Sequence, residues 1–371
     1  MQKVRPKRGR NRNAQPDGLR KIDVGIRLAV VKRAQSAPFG SQFACYKARI
    51  EVPLPVPMQL ISIPANPVPE GATVGTVKTS DGVVLRFARW DPPPGRKGTL
   101  CVFPGRTEFI EKYFEVVRDA RARGFAVAVL DWRGQGFSER ALPNARKGHV
   151  HDFSEYDRDL EAFVKEVVLP DCPPPLFALG HSMGSAVLIR SASQGRRWFD
   201  RIVLSAPMIK LSRAAGLRLA RGSAQFMRLL GLGSSYVPGG GGTAINTLPF
   251  PGNKLTSDPV RYARTAAILE AEPSLAIGSP TVAWLDAAFK AMNEFADPHY
   301  ASRLRQPLLL VAAGQDRVVS TPATGAFALR LRAGSHLVIP GARHELLMEQ
   351  DRYREQFWAA FDAFVPGSAL Y

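Results

Sequence analysis

The sequence has only three cysteines among its 371 residues, Cys45, Cys101 and Cys172, and they occupy unrelated contexts. Three thiols cannot all pair within one chain, and their spacing fits no metal site, so the sequence predicts neither a disulfide framework nor a zinc centre. Such cysteine usage favours a reducing compartment and predicts a cytoplasmic protein. Cys101 lies in a predicted buried strand, where a free thiol behaves as a small apolar side chain.

Long apolar runs are also missing. No run reaches the roughly 18 residues that a membrane-spanning helix needs, so no span is expected. The segment Val24 to Val31 is short and broken by Arg27, which argues against an ordinary secretory signal. His149 and His151 have no third or fourth metal ligand at a suitable spacing, and the HExxH signature is absent. We therefore expect no metal and no cofactor.

The net charge of +18 is distributed unevenly. Residues 1–57 hold thirteen Lys or Arg against three acids, a balance of +10, and the other 37 basic and 29 acidic residues add only +8. The segment 1–57 is therefore predicted to be a basic, disordered leader. Because the excess lies mostly in this leader, a nucleic-acid partner is not expected.

Met58 offers a possible start for the mature protein. The residues after it lead directly into the first predicted hairpin. We hypothesise that residues 1–57 come from an over-extended reading frame and that translation begins at Met58. The intact mass of natively expressed protein tests this hypothesis, and a molecule that retains residue 2 or 3 contradicts it.

The rest of the chain alternates apolar runs, typical of buried parallel strands, with helical segments. A Ser-Asp-Gly turn at residues 80–82 joins the first two runs as a hairpin. This pattern predicts an α/β fold, a mostly parallel sheet covered by helices on both faces. The predicted strands are Thr73–Lys78, Val83–Trp90, Thr99–Phe103, Ala126–Leu130, Leu176–Leu179, Ile202–Ala206, Leu308–Ala313 and Ser335–Ile339, and the predicted helices of this part are Glu108–Arg123 and Tyr156–Val168.

The strand at 176–179 runs into Gly-His-Ser-Met-Gly at residues 180–184. Gly-x-Ser-x-Gly between a strand and a helix is a nucleophile elbow, in which a strained turn presents the serine at the edge of the sheet. A side chain at Gly180 or Gly184 would collide with the neighbouring strand or helix. We therefore expect Ser182 to be a nucleophile, with a helix that begins at Met183.

A base and an acid follow in the expected chain order. Asp316 lies just beyond the strand at 308–313, and His344 lies in the loop after the strand at 335–339. Active sites of open α/β sheets gather at the carboxyl ends of strands, so these residues should converge on Ser182. His344 is expected to take the serine proton, and Asp316 is expected to fix the tautomer of the imidazole.

An oxyanion hole requires backbone donors beside the nucleophile. The amide of Met183 is one candidate, and the amide of Arg106, in the loop after the third strand, is the other. The Arg106 side chain has two interpretations: it contacts a phosphate, or it pairs with Glu108. The salt bridge is the favoured one.

Residues 207–305 interrupt the alternation with mostly helical patterns, which predicts a cap inserted between two parts of the core, 58–206 and 306–371. One cap helix is predicted within 211–230 and is amphipathic. A basic amphipathic helix could contact an anionic lipid surface at the inner face of the membrane. A helix packed on the core with a solvated arginine face explains the same pattern and is favoured. Its apolar side holds Leu219, Phe226 and Leu230, and its basic side holds Arg213, Arg221 and Arg228.

Together these segments resemble the monoacylglycerol lipase and lysophospholipase branch of the serine α/β-hydrolases. The similarity covers roughly residues 73–364 and favours the bacterial lysophospholipase group. The segments that carry it are Pro104–Glu108 with Lys112 and Tyr113, Asp131–Ser138, Gly148–Val150 with Phe153, Tyr156, Asp159 and Leu160, and Leu255–Asp258 with Arg261 and Tyr262.

The resemblance implies an enzyme that cleaves carboxylic esters of single-chain lipids, a lysophospholipid or a monoacylglycerol, through an acyl-enzyme on Ser182. Two alternatives stay open. A peptidase of the proline iminopeptidase type would need an acidic cap site for a free amino terminus. A non-catalytic binding protein of the same fold usually lacks one of the three catalytic side chains, and all three types are present here. The cap acids that could supply the amine site are Glu270, Glu272, Asp286 and Glu294.

Overall fold

The structure is a computed structural model that describes residues 59–212 and 214–366, and of residues 214–220 it describes only the backbone. The predicted leader, Met58, Cys45, Arg213 and the side chain of Leu219 lie outside the described residues. The predicted boundaries of the leader, core and cap remain predictions.

The strands of the described residues form one eight-stranded sheet. Its strands are β1 (Ala72–Lys78), β2 (Val84–Trp90), β3 (Thr99–Phe103), β4 (Ala126–Leu130), β5 (Leu176–His181), β6 (Arg201–Ser205), β7 (Leu308–Ala313) and β8 (Gly334–Ile339). They lie in the order β1-β2-β4-β3-β5-β6-β7-β8, with β1 and β2 antiparallel to their neighbours and all other pairs parallel. The predicted fold class is confirmed.

Helices cover both faces of this sheet, as the alternating pattern requires. In β3, Leu100 and Val102 pack into one apolar cluster with the helices at 114–122 and 351–364, whereas Cys101 and Phe103 point into a second cluster with the helices at 154–163, 183–193 and 321–328. The helices are α1 (Phe114–Ala122), α2 (Ser154–Phe163), α3 (Leu169–Asp171), α4 (Met183–Ser193), α5 (Ala214–Leu229), α6 (Pro259–Ala271), α7 (Val282–Ala296), α8 (Tyr300–Arg303), α9 (Thr321–Ala328) and α10 (Asp351–Phe364).

Two predicted helices are shorter or less regular than the pattern suggested. The helix expected over 108–123 begins as a 3-10 turn at Ile110–Tyr113, whose first amide donates to Asp131, and becomes α-helical only at Phe114. The helix expected over 156–168 is α2 followed by a π-helical turn at Val164–Val168.

The segment between β6 and β7 contains α5 to α8, in agreement with the helical pattern predicted there. The orientation of α5 differs from the favoured prediction. Arg228 pairs with Asp286 of α7 and Arg221 donates to Asn293 of α7, while Phe226 is 62% exposed. Arg221 and Arg228 therefore contact α7 and Phe226 faces outward, because α7 supplies polar partners that the sequence of α5 alone does not reveal.

Among the described helices, none has both the length and the apolar character that crossing a bilayer demands.

Candidate active site

Ser182 occupies the sharp turn between β5 and α4. Its φ of 49° is in the left-handed region, a strained conformation for a serine that costs roughly 1–3 kcal/mol. A Cβ at Gly184 would lie 2.2 Å from the carbonyl oxygen of Phe103, and one at Gly180 would lie 2.9 Å from the Cα of Ser185. Only glycine permits this close packing, and it sets the serine hydroxyl at the carboxyl edge of the sheet.

The three side chains expected from the sequence lie within hydrogen-bond distance of one another. His344 Nε2 is 3.0 Å from Ser182 Oγ, and His344 Nδ1 is 2.8 Å from Asp316 Oδ2. A carboxylate can only accept, so Nδ1 carries the proton and Nε2 is left to accept from the serine hydroxyl. The arrangement has the geometry that a general base requires.

Asp316 is held in place by its own loop. Its Oδ1 accepts from the amides of Val318 at 2.7 Å and Val319 at 2.9 Å, which leaves Oδ2 for His344. Burial opposes ionisation of this carboxyl, but the charge and hydrogen bond of His344, with the two amides, lower the pKa of Asp316. The acid therefore stays ionised beside the imidazole.

The two histidines of the site have opposite electrostatic settings. Burial lowers the pKa of His344, but the charge and hydrogen bond of Asp316, with the charges of Glu345 and Glu108, outweigh burial and raise it. The ring centroid of His181 lies only 4.9 Å from that of His344, and burial lowers the pKa of His181 to about 4. His344 is thus the stronger base of the two histidines.

The loop beside Ser182 leaves one amide free. Gly105 donates its N–H to Glu108, and Thr107 donates its N–H to Gln135 Oε1 at 2.9 Å. The N–H of Arg106, between them, has no hydrogen-bond partner within the described residues. The amide of Arg106 and the first amide of α4, at Met183, remain the two donors predicted for an oxyanion hole.

Gln135 was not singled out by the sequence reasoning, although it lies in the Asp131–Ser138 segment. Its side chain accepts from Thr107 and donates to the carbonyl of Gly105 at 3.0 Å. Both neighbours of Arg106 are therefore fixed by one amide side chain. Its position within the Arg-Gly-Gln-Gly sequence was the signal from which a structural role for Gln135 could have been predicted.

The expected salt bridge between Arg106 and Glu108 is not formed. Glu108 instead accepts from Lys112 Nζ at 2.8 Å and from the hydroxyl of Tyr113 at 2.6 Å, and Lys112 also donates to Glu345 at 2.7 Å. Lys112 is one turn further along the chain and Glu345 comes from the far end of it. These buried partners therefore satisfy one another, and Glu108 and Glu345 also line the pocket.

Ser182 and His344 open into a cavity of about 420 Å³, within the size range of small-molecule sites. Most of its wall is apolar, and the cap contributes a large share of that wall. Its polar wall is formed by Arg106, Thr107, Glu108, Thr243, Gly278, Ser279 and Glu345, and its apolar wall by Met208, Leu211, Ile245, Leu248, Leu255, Pro280, Trp284, Leu285, Val318 and Val319.

None of the four cap acids considered for an amine site lines this cavity. Asp286 pairs with Arg228 and Lys290, and Glu294 pairs with Arg190. Glu272 accepts from Ser274, and Glu270 is exposed. The structure brings none of them toward Ser182. No cluster of His, Cys, Asp or Glu able to hold a metal occurs in the part of the chain that the structure describes.

The sheet order, the elbow and the Ser–His–Asp geometry define the chain as an α/β-hydrolase. The family described as "Serine aminopeptidase, S33" matches residues 94–351, and the chain belongs to this family. The match lies inside the region whose motifs suggested the resemblance.

The chain is 32% identical over 286 residues to the lysophospholipase L2 of Escherichia coli, covering 74% of this chain and 82% of that protein. It is 27% identical over 277 residues to the monoacylglycerol lipase of Mycolicibacterium smegmatis, covering 73% of this chain and 89% of that protein. These relatives confirm the resemblance to the monoacylglycerol lipase and lysophospholipase branch.

Solved structures agree on the fold. A soluble variant of the monoglyceride lipase of Saccharomyces cerevisiae superposes with a TM-score of 0.63 at 18% identity, covering 79% of this chain and 96% of that one. A carboxyl esterase of Bacillus coagulans gives a TM-score of 0.64 at 19% identity, covering 81% and 99%. At such identities the likeness shows the fold alone.

Proposed function

We propose that this protein hydrolyses carboxylic esters of single-chain lipids through an acyl-enzyme on Ser182. The observation that carries the proposal is the 3.0 Å approach of Ser182 Oγ to His344 Nε2 at the base of a largely apolar cavity. The names of the relatives, a lysophospholipase and a monoacylglycerol lipase, point to the same substrate class.

The geometry supports two half-reactions. His344 takes the proton of Ser182 as the oxygen attacks the ester carbonyl, and then gives that proton to the departing alcohol. Asp316 stabilises the imidazolium that forms in between. The amides of Arg106 and Met183 bind the oxyanion of each tetrahedral intermediate. Water, deprotonated by His344, then releases the fatty acid and restores the serine.

The apolar part of the wall suits one acyl chain. Met208, Leu211 and Leu285 line the cavity beside the catalytic residues. Ile245 is 39% exposed and Leu248 is 49% exposed, so the wall reaches the surface on the cap side. An acyl chain would exchange water for this apolar surface at roughly 0.8 kcal/mol per CH₂ group.

Peptidase activity is the rival that the family description raises. A free amino terminus needs an uncompensated carboxylate in the pocket. The two acids on the wall, Glu108 and Glu345, both accept from Lys112, burial raises the pKa of Glu345 and so favours its neutral form, and the cap acids lie elsewhere. Ester hydrolysis, which needs no such carboxylate, is therefore the better supported function.

Contact of the cap with a lipid surface is part of the proposal. The sequence suggested contact through the basic side of α5, whereas the proposed contact is made by exposed apolar side chains at the end of this helix. Arg228 is occupied by Asp286, whereas Phe226, Leu229 and Leu230 are 62%, 85% and 59% exposed. Exposed apolar side chains at the end of a helix can enter the boundary between head groups and acyl chains.

The test is hydrolysis of p-nitrophenyl esters from acetate to palmitate, beside lysophosphatidylcholine, monoolein and proline p-nitroanilide. We expect turnover that favours long single acyl chains and falls by about 10⁴-fold or more in Ser182→Ala. Folded protein that cleaves the anilide and no ester would contradict the proposal and support a peptidase. Residual ester activity within about tenfold of wild type in Ser182→Ala would reject the nucleophile.

A further inference from the structure

A guanidinium without a neutralising carboxylate lies on the wall of the Ser182 cavity. Arg106 Nη2 donates to the carbonyl of Gly278 at 2.8 Å, and its Cζ lies 4.9 Å from the ring centroid of Trp284. The Nε atom is buried and has no hydrogen-bond partner among the residues described. Arg106 makes no ion pair with any residue that the structure describes, although it lines the same cavity as His344.

This environment is unfavourable for a cation. Burial lowers the pKa of Arg106 to about 10, and no carboxylate acts to raise it, only the phenols of Tyr156 and Tyr236. A buried charge without a counterion, and a buried donor without an acceptor, both destabilise a folded protein. A ligand that brings a negative charge and several acceptor oxygens would remove both penalties.

Three neighbours extend this feature into a set of donors, which we name the Arg106 cluster: Arg106, Arg146, Lys147 and Tyr236. The Tyr236 hydroxyl is buried, has no hydrogen-bond partner in the described part of the chain, and lies within electrostatic range of Arg106 and Arg146. Lys147 Nζ is 5.2 Å from the centroid of the Tyr236 ring. Within the described residues, Arg146 and Lys147 form no ion pair either.

We propose that the Arg106 cluster binds the phosphate of a lysophospholipid head group and so makes the enzyme prefer a phosphate-bearing ester to a neutral one. The inference rests on the proposed function and names the substrate class of the same site. Guanidinium groups recognise phosphate through two parallel N–H···O bonds, and Arg106 still has an unused donor on its Nε.

The position of Arg106 fits the geometry of such a substrate. Its backbone amide is the proposed oxyanion donor, and its side chain reaches the carbonyl of Gly278 on the cavity wall. In a lysophospholipid, the glycerol carbons separate the ester from the phosphate, just as the side chain of Arg106 separates its backbone amide from its guanidinium. The acyl chain would then take the apolar wall of the same cavity, which includes Met208 and Leu211.

The test compares two esters with the same decanoyl chain, 1-decanoyl-lysophosphatidylglycerol and 1-decanoylglycerol, both below their critical micelle concentrations. The readout is selectivity, which is kcat/KM for the phosphate ester divided by kcat/KM for the neutral ester, measured on one protein. Because both esters use the same oxyanion hole, a change there affects both values and cancels in the ratio. Arg106→Met removes the guanidinium and keeps the backbone amide. We expect it to lower the selectivity for the phosphate ester about tenfold or more, and Arg106→Lys to lower it less.

The matched control is Arg96→Met, which removes an exposed charge at the opposite end of β3 and should leave the selectivity unchanged. A selectivity of Arg106→Met within about twofold of wild type would overturn the subsite while leaving ester hydrolysis intact. If wild type cleaves neither ester in a Ser182-dependent manner, the proposed function fails, and the subsite fails with it.

A second variant covers the case in which Arg106→Met does not fold. Arg146→Gln combined with Lys147→Gln removes two cations from partly exposed positions of the cluster. We expect about a threefold loss of selectivity, and a smaller dependence of KM for the phosphate ester on NaCl concentration than in wild type. Selectivity and salt dependence equal to wild type would overturn the proposal.

Discussion

Two aspartates follow strands at the same edge of the sheet, and their surroundings differ. Asp131, directly after β4, accepts from Arg86 Nε at 2.7 Å and from the amides of Ile110 and Phe137, both at 2.9 Å. Arg86 is in turn bound at both terminal nitrogens by Glu111, at 2.7 and 2.8 Å. None of the residues in this first region lines the Ser182 cavity.

The second region, around Asp316, is open at one end. One oxygen of Asp316 is fixed by backbone amides and the other binds His344, whose second nitrogen faces the hydroxyl of Ser182 in the cavity. The difference suggests a rule for this molecule: buried polar groups that satisfy one another support the fold, and those that end at the cavity are available to a ligand. Arg106 belongs with the second kind.

Asp316→Asn should produce the largest effect on turnover. The amide cannot hold His344 in the required tautomer, so kcat should fall by about 10⁴-fold, while the free energy of unfolding changes by about 1 kcal/mol or less. Steady-state hydrolysis of a p-nitrophenyl ester and urea unfolding measure the two quantities. A variant that retains kcat within about tenfold of wild type would show that another group orients the imidazole.

The same substitution at Asp131 should separate the two regions. Asp131→Asn removes one of the counterions of the buried Arg86, so the free energy of unfolding should fall by about 3–5 kcal/mol. The kcat of the molecules that remain folded should stay close to wild type. A loss of kcat as large as that expected for Asp316→Asn, at unchanged stability, would mean that Asp131 is the catalytic acid.

Gln135→Ala should have an intermediate effect on kcat because Gln135 acts through the loop that carries the Arg106 amide. Without the amide that holds Gly105 and Thr107, the Arg106 N–H would be less well aligned, and kcat should fall by about 10- to 100-fold with little change in KM. Gln135→Glu, which keeps the acceptor for Thr107, should lose less. Equal kcat in all three proteins would exclude a role for Gln135 in positioning the loop.

The smallest expected effect is a shift of the pH profile. Only neutral His344 can accept the serine proton, so kcat/KM should fall as the pH drops through its pKa, which lies above the ordinary value of about 6.5. Loss of the Asp316 charge lowers that pKa, so the acidic limb of Asp316→Asn should move to lower pH. A limb that stays in place, or moves to higher pH, would contradict the assignment of His344.

Much of the core was predictable because the signals are local. Ser182, Asp316 and His344 each follow a buried strand, and parallel strands bring their carboxyl ends to one edge whatever the distance along the chain. The glycines at 180 and 184 predicted the sharp turn at Ser182, which is also a local signal. Position relative to a strand was sufficient to predict the Ser–His–Asp geometry.

The cap and the partners of charged side chains were less predictable, since their contacts are distant in sequence. Glu108 was expected to pair with its neighbour Arg106, but it contacts Lys112, whose second partner is Glu345. The arginines of α5 were expected to face water, but Arg228 forms a salt bridge with Asp286 of α7. Choosing among several oppositely charged groups requires the tertiary structure.

The most direct test of the account is the site of acylation. Wild-type protein mixed with p-nitrophenyl decanoate and quenched in acid within the first turnovers should carry a decanoyl group on the peptide that contains Ser182, as measured by mass spectrometry. The same treatment of Ser182→Ala should yield no acylated peptide. A decanoyl group on another residue in wild type, or turnover without any acylated protein in repeated early quenches, would contradict nucleophilic catalysis by Ser182.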